Sequence, residues 1–115
     1  MNILFLCTAN KNRSRTAEDY FREHYPQHQF RSAGLSQRLC EKEGTTLVTD
    51  QMLEWADRIF VMEAHHQERI QQYTGILYLH KINVLGIEDI YTYMQVELVT
   101  LLIRMMQQAE RTLFI

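Results

Sequence analysis

The stretch "ILFLCTANKNRSRTAEDYF", residues 3–21, decides the fold. Four apolar residues run into a cysteine, Cys7, and a polar loop follows. Arg13 and Ser14 end that loop. From there Ala17, Tyr20, Phe21 and His24 recur at helical spacing until Pro26 closes the segment. A short continuous apolar run ending at a turn reads as a fully buried strand, the kind found in parallel sheets. Strand, loop and helix in that order make the first unit of an α/β fold.

The same alternation continues along the chain. Residues 29–35, "QFRSAGL", read as a second strand ending at Gly34. Residues 35–46 are polar, contain Gly44 and read mostly as loop. Val48, Met52, Trp55 and Ala56 then share one helical face. "RIFVM", residues 58–62, is a third strand. Residues 64–73 form a short helix with His66, Ile70 and Tyr73 on one side and Gly75 beyond its end. "KINVLGI", residues 81–87, is a fourth strand, whereas "ILYL", residues 76–79, fits strand or loop equally. After the loop "EDIYTYM" a last helix runs from about 95 to 113, with Val99, Leu102, Met106, Ala109 and Leu113 at helical spacing. Parallel strands need crossover connections, so this order predicts a four-stranded parallel sheet between helices, a three-layer α/β/α domain spanning residues 1–115. Ligands of such sheets bind beyond the carboxyl ends of the strands. Cys7, Gly34, Glu63 and residues 86–93 all fall on that rim.

Bulk properties narrow the function. A chain of 115 residues has room for one domain, which buries roughly two-thirds of its unfolded surface. A net charge of −2 argues against a dedicated nucleic-acid binder. No apolar run is long enough to span a bilayer, and "ILFL" is too short for a signal peptide, so a soluble, cytoplasmic protein without a membrane partner is expected. Two cysteines, Cys7 and Cys40, make neither a disulfide framework nor a metal-ligand cluster. His65 and His66 stand together at a helix start with no third ligand beside them. They read as surface or capping residues, and no metal is expected. Trp55, Met94, Met105 and Met106 read as core, and Cys40 as a bystander thiol.

The loop from Cys7 to Ser14 carries the chemistry. Backbone N–H groups of Thr8, Ala9, Asn10, Lys11 and Asn12 can curl into an anion-binding nest, and the helix that follows adds partial positive charge. Arg13 supplies a planar fork matching two oxygens of a tetrahedral oxyanion. Cys7 sits in the same positive field, which favours its nucleophilic thiolate near neutral pH. Ser14 is placed to donate a hydrogen bond to that sulfur. Asn10 tolerates the left-handed conformation a tight loop requires. Thiolate, oxyanion cradle and bidentate cation together describe attack on a phosphoryl group through a phosphocysteine.

"CTANKNRS", preceded by "ILFL" and followed by "RTAEDYF", resembles the active-site loop of low-molecular-weight protein tyrosine phosphatases. "RSAG" at 31–34 and "WADRIFVMEAHH" at 55–66 resemble that family's second and third strands. "LGIEDIYTYMQVELVTLL" at 85–102 resembles the late loop and last helix of a compact bacterial branch of predicted phosphatases. Residues 35–47 match least. The resemblance implies a flavodoxin-like fold and phosphomonoester hydrolysis with no metal or other cofactor. The implied substrate is a phosphorylated protein or a small aryl phosphate. Position by position it implies Cys7 as nucleophile, Arg13 as clamp, Asn10 and Ser14 as shapers of the loop and thiolate, and Ser32 as a brace. Many members carry a second cysteine beside the arginine, where this chain has Asn12, so a protective vicinal disulfide cannot form. Lys11 stands at a position often apolar in the family and would add charge at the pocket mouth.

Hydrolysis also needs a proton for the leaving oxygen and then a base for water, which one carboxyl group can supply in turn. Glu63, Glu88 and Asp89 are the candidates on the rim. The family places its acid in the late loop, before a proline and a tyrosine; Asp89 in "EDIYTY" matches best, with Glu88 as alternative, although no proline follows. Tyr91 and Tyr93 either flank a substrate ring or pack the loop onto the last helix. Two other functions fit in part. A non-catalytic phosphate-binding module would keep Arg13 and the nest without an acid. A thiol-dependent arsenate reductase needs a pair of shuttle cysteines after the third strand, which this chain lacks.

Overall fold

The computed structural model describes residues 1–111. The expected alternation holds. Strand β1 is Asn2–Cys7, helix α1 Arg13–His24, β2 Gln29–Gly34, α2 Gln37–Glu43, α3 Asp50–Trp55, β3 Arg58–Val61, α4 Ala64–Thr74, β4 Ile82–Val84 and α5 Val96–Ala109. The four strands form one sheet in the order β2-β1-β3-β4, and every pairing is parallel. Cys7 lies opposite Gly34 at the carboxyl end of the β1–β2 ladder.

Each face of the sheet carries its own core, because successive residues of a strand point to opposite sides. On one face Ile3, Phe5, Cys7, Phe30 and Phe60 pack with Phe21 of α1 and Leu98, Leu102 and Met106 of α5. Phe5 is its centre, with the rings of Phe21, Phe30 and Phe60 at 5.7, 6.2 and 5.8 Å. On the other face Leu4, Leu6, Ala33, Ile59 and Val61 pack with Leu53 of α3 and Ile70 of α4. The result is the three-layer α/β/α arrangement. The most central β1 residues, Ile3 to Leu6, are completely buried, so the strand that delivers Cys7 is anchored on both faces.

Several local readings change. Residues 37–43 are helix, not loop. Helix α2 buries only Cys40, so it has no apolar period to betray it, but both caps are written in the sequence. Ser36 accepts the Leu39 N–H, and Gly44 adopts φ +66° as a left-handed C-cap. The fourth strand is shorter than residues 81–87 because Gly86 turns out of it at φ +74°. "ILYL" is not a strand: it lies in turns, with a 3₁₀ turn at Leu79–Lys81. Helix α3 begins only after Thr49, which caps it, while Val48 donates its N–H to the Gly34 carbonyl. Tyr73 and His24 are exposed rather than core-facing. In α5 the buried stripe is Leu98, Leu102 and Met106, one position away from Val99, and Ala109 is exposed. Leu113 lies outside the described residues. Met106 is core as expected, whereas Trp55, Met94 and Met105 are only half-buried. Among the described residues no helix is long and apolar enough to cross a membrane.

Candidate active site

Residues 8–12 pass from the buried end of β1 to the first turn of α1, so both ends of the loop are fixed by the core. Its carbonyls are drawn outward. Thr8 O accepts from Leu35 and Ser36 N–H at 3.1 and 3.0 Å, Ala9 O from the Thr45 hydroxyl at 2.6 Å, and Asn12 O from Thr16 N–H at 2.9 Å. Those pairings engage three carbonyls of the loop and leave its N–H groups as the donors an anion nest would use. Asn10 has φ +54°, the left-handed conformation its residue type tolerates. It is buried. Its side-chain NH₂ donates to Ser14 Oγ at 2.8 Å and Ser32 Oγ at 2.9 Å, while its Oδ1 accepts from Thr46 N–H at 3.4 Å. A backbone in a sparsely populated region persists where its surroundings over-determine it, and these three bonds do so.

Gly34 explains itself here. A Cβ on it would lie 2.5 Å from Cys40 Sγ and 2.8 Å from Thr8 O. The loop backbone therefore approaches β2 as closely as it does only because that position has no side chain.

Cys7 Sγ lies 3.0 Å from Ser14 Oγ and is almost wholly buried, as is Cys40 on the far side of the loop. Arg13 is only 2% exposed, and a buried cation must be paired. Its Nη1 donates to Glu63 Oε2 and to the Ile87 carbonyl, both at 2.7 Å, and its Nε lies 3.7 Å from Asp89 Oδ1. Cys7, Ala9, Lys11, Asn12, Arg13 and Asp89 line a cavity of about 110 Å³, room for a phosphate-sized group with its ester arm emerging. Asp89 is mostly exposed, a lip rather than a floor. Glu88 is exposed and does not line the cavity. Lys11 stands at the mouth, paired at 3.4 Å with Glu43.

The two tyrosines part company. Tyr91 packs against the core beneath α1 and α5, while the Tyr93 hydroxyl donates to Asp19 Oδ2 of α1 at 2.5 Å. That bond holds the Tyr93 phenol above its ordinary pKa. Beside it, Met94 N–H donates to Thr16 Oγ1 at 3.0 Å. Neither ring lines the cavity: Tyr91 packs the late loop onto the core, and Tyr93 ties it to α1.

Residues after β3 contribute more than the motif suggests. Glu63 begins α4: its backbone carbonyl accepts from His66 N–H at 3.0 Å, and His66 Nδ1 accepts from Glu63 N–H at 3.0 Å. His66 is buried, not on the surface. Burial foremost, then the neighbouring His65 and Arg13 charges, push its pKa down to about 4. A neutral ring that accepts at Nδ1 carries its proton on Nε2, so it donates to Thr8 Oγ1, 2.9 Å away. The hydrogen bond from Arg13 holds the Glu63 carboxyl below the usual range, with His65 adding to the effect and partial burial opposing it. Glu63 also supplies what the two histidines lack in sequence reading, a third ligating group: one atom each of Glu63, His65 and His66 lie within 4.8 Å of one another. Each of those groups already has a partner, Arg13 for Glu63, Glu63 for His65, and Thr8 with the Glu63 backbone for His66. The donor set therefore reads as a buttress of the loop. No local signal announces the Glu63–Arg13 and His66–Thr8 contacts, because both join residues 50 or more positions apart.

The fold is shared with solved structures of known phosphatases. A low-molecular-weight protein tyrosine phosphatase from Bacillus subtilis is 25% identical, with a TM-score of 0.69 over 96% of this chain and 99% of its own. The Streptococcus pyogenes enzyme of that name is 15% identical, with a TM-score of 0.75 over 96% and 91%. An arginine phosphatase from Geobacillus stearothermophilus is 19% identical, with a TM-score of 0.70 over 96% and 94%. No curated protein matches the chain significantly. The family model of low molecular weight phosphotyrosine protein phosphatases matches residues 2–94, and the chain belongs to that family.

Proposed function

We propose that this cysteine-dependent, metal-independent phosphatase works through Cys7, Arg13 and Asp89. The observation that carries the reading is the small cavity whose lining joins a thiol, a guanidinium and a carboxylate from three separate segments of the chain. Arg13 is anchored by Nη1 to Glu63 and Ile87, which aims the remaining edge of its fork at two phosphoryl oxygens. The nest of residues 8–12 and the start of α1 hold the dianion. Cys7 Sγ attacks phosphorus in line as the ester P–O bond breaks. Asp89, at the lip, gives its proton to the leaving oxygen. Its carboxylate then takes a proton from water as that water attacks phosphorus, the S–P bond breaks, and phosphate leaves with the thiolate restored. Ser32 and Asn10 keep the loop in shape. The substrate class supported is a phosphorylated protein side chain or an aryl phosphate, since only the phosphoryl group needs to enter. A carboxylate at the lip favours hydrolysis over simple phosphate binding.

Hydrolysis of an aryl phosphate tests this. Cys7→Ser should abolish turnover and still bind inorganic phosphate. Asp89→Asn should lower kcat by about 10²–10⁴-fold. Turnover surviving in Cys7→Ser overturns the mechanism. Full activity in Asp89→Asn removes the acid role from Asp89, and Glu88→Gln then tests the alternative. A strict requirement for a divalent metal would also refute it.

A further inference from the structure

Glu18 lies on α1 one turn after Ser14, and its side chain is only 14% exposed. As a carboxylate it can only accept. The Ser32 hydroxyl donates to its Oε1 and the Arg22 guanidinium to its Oε2. Arg22 is itself tied to β2 through the Phe30 carbonyl at 3.0 Å. The single hydrogen of Ser32 is thus committed to Glu18, so toward Asn10 its oxygen can only accept, and it does so from Asn10 Nδ2 at 2.9 Å. That turns the Asn10 NH₂ inward, where it also donates to Ser14 Oγ at 2.8 Å. Ser14 is left with its hydrogen free. The acceptors within reach are Cys7 Sγ at 3.0 Å and, more distant, the Ala33 carbonyl at 3.5 Å.

We propose that Glu18 is a positioning residue: through Ser32 it orients Asn10, together with the long 3.4 Å bond from Thr46 N–H to Asn10 Oδ1, in a relay that ends with Ser14 donating to the Cys7 thiolate. This rests on Cys7 being the nucleophile. Without an acceptor-only group at position 18, the Ser32 hydrogen turns to Asn10, the amide rotates, and the Ser14 hydrogen is drawn to Asn10 Oδ1. The thiolate then loses its donor. The negative charge of Glu18 acts in the opposite sense, since through space a carboxylate disfavours a nearby thiolate. The relay and plain electrostatics therefore predict opposite signs for the same substitution.

The surrounding groups are the same in the wild type and the variant at each pH. Arg15 and Arg22 of α1 and Arg31 of β2 line the cleft beside Glu18, together with Thr46 and Met52. Arg13, Lys11 and Asp89 face Cys7, with Glu63, His65 and His66 behind Arg13 and Thr8.

The experiment follows iodoacetamide alkylation of Cys7 against pH, read on the Cys7 peptide so that Cys40 does not contribute. Glu18→Gln keeps the shape of the side chain. Its alkylation at pH 6 should fall about tenfold, the worth of one hydrogen bond to a charged group, with the alkaline plateau unchanged. In a Ser14→Ala background Glu18→Gln should give no displacement to higher pH, because only the through-space charge effect is left. Ser32→Ala, which serves if Glu18→Gln does not fold, should displace the profile in the same direction. An unchanged profile, a displacement to lower pH, or an equal displacement in the Ser14→Ala background each overturns the relay. Alkylation needs no turnover, so failure here and failure of the Cys7→Ser hydrolysis test are separate results.

Discussion

Two loops meet at the carboxyl edge of the sheet, and they are built differently. Residues 8–12 are held at nearly every position: carbonyls capped from outside, Asn10 triply bonded, Thr8 braced by His66. Residues 86–95 are held at their ends, by Ile87 against Met62 and Arg13 and by Tyr93 and Met94 against α1. Between those ends Glu88, Asp89 and Ile90 stand in solvent. The lesson is a division of labour. Under the proposed mechanism, the group that must meet developing charge at fixed distance lies in the rigid cradle, and the proton donor that must admit a substrate and then water lies on the less anchored segment.

The largest effect should come from breaking the rigid side. Gly34→Ala places a methyl against Cys40 Sγ and the Thr8 carbonyl. It should cost about 1–3 kcal/mol in urea unfolding and remove most of the activity, because the cradle itself is displaced. Cys40→Ala in that background should recover stability only in part, since the backbone clash remains. Full activity in Gly34→Ala would mean that the cradle is as yielding as the late loop.

Next is the His66 buttress. Its folded-state pKa, about 4, lies below the ordinary value of 6.5, so the unfolded chain binds the proton more readily. The stability it contributes is present above the unfolded pKa and is lost as pH falls through 6.5 toward 4. Glu63, also depressed, loses its contribution at lower pH still. Wild-type stability should therefore drop by on the order of 2 kcal/mol between pH 7 and 4. His66→Phe should be less stable at pH 7 and show a shallower slope. A parallel slope in both proteins would remove His66 as the acid-labile support of the loop.

The smallest effect should come from the late loop. Tyr93→Phe removes the bond to Asp19 and should cost about 1 kcal/mol or less. The expected outcome is a few-fold fall in kcat for an aryl phosphate with Cys7 alkylation unchanged. Altered alkylation would show that the two loops are coupled rather than divided.

Much of this was legible in the chain. Cys7, Arg13 and Ser14 declare themselves because strand, nest and helix start are local features with fixed spacing. The late loop marks Asp89 as a candidate through its match to the family's pattern, and the β-α alternation gives the parallel sheet, whereas its strand order β2-β1-β3-β4 comes only from the structure. Helix α2 escapes sequence reading because a helix that buries one residue has no apolar period. The tyrosines were undecidable, since their rings can be assigned only when the position of α1 relative to the late loop is known. Glu63 is a candidate acid by its place on the rim, yet its carboxylate pairs with Arg13.

The sequence by itself determined the α/β alternation and the phosphate loop, because both rest on short-range periodicity and backbone preference. Only the tertiary structure decided which groups hold that loop: Glu63 on Arg13, His66 on Thr8, Ser32 and Glu18 behind Asn10. These are pairings across the sheet between residues far apart in the chain, set by strand order and register, and a one-dimensional pattern does not record them.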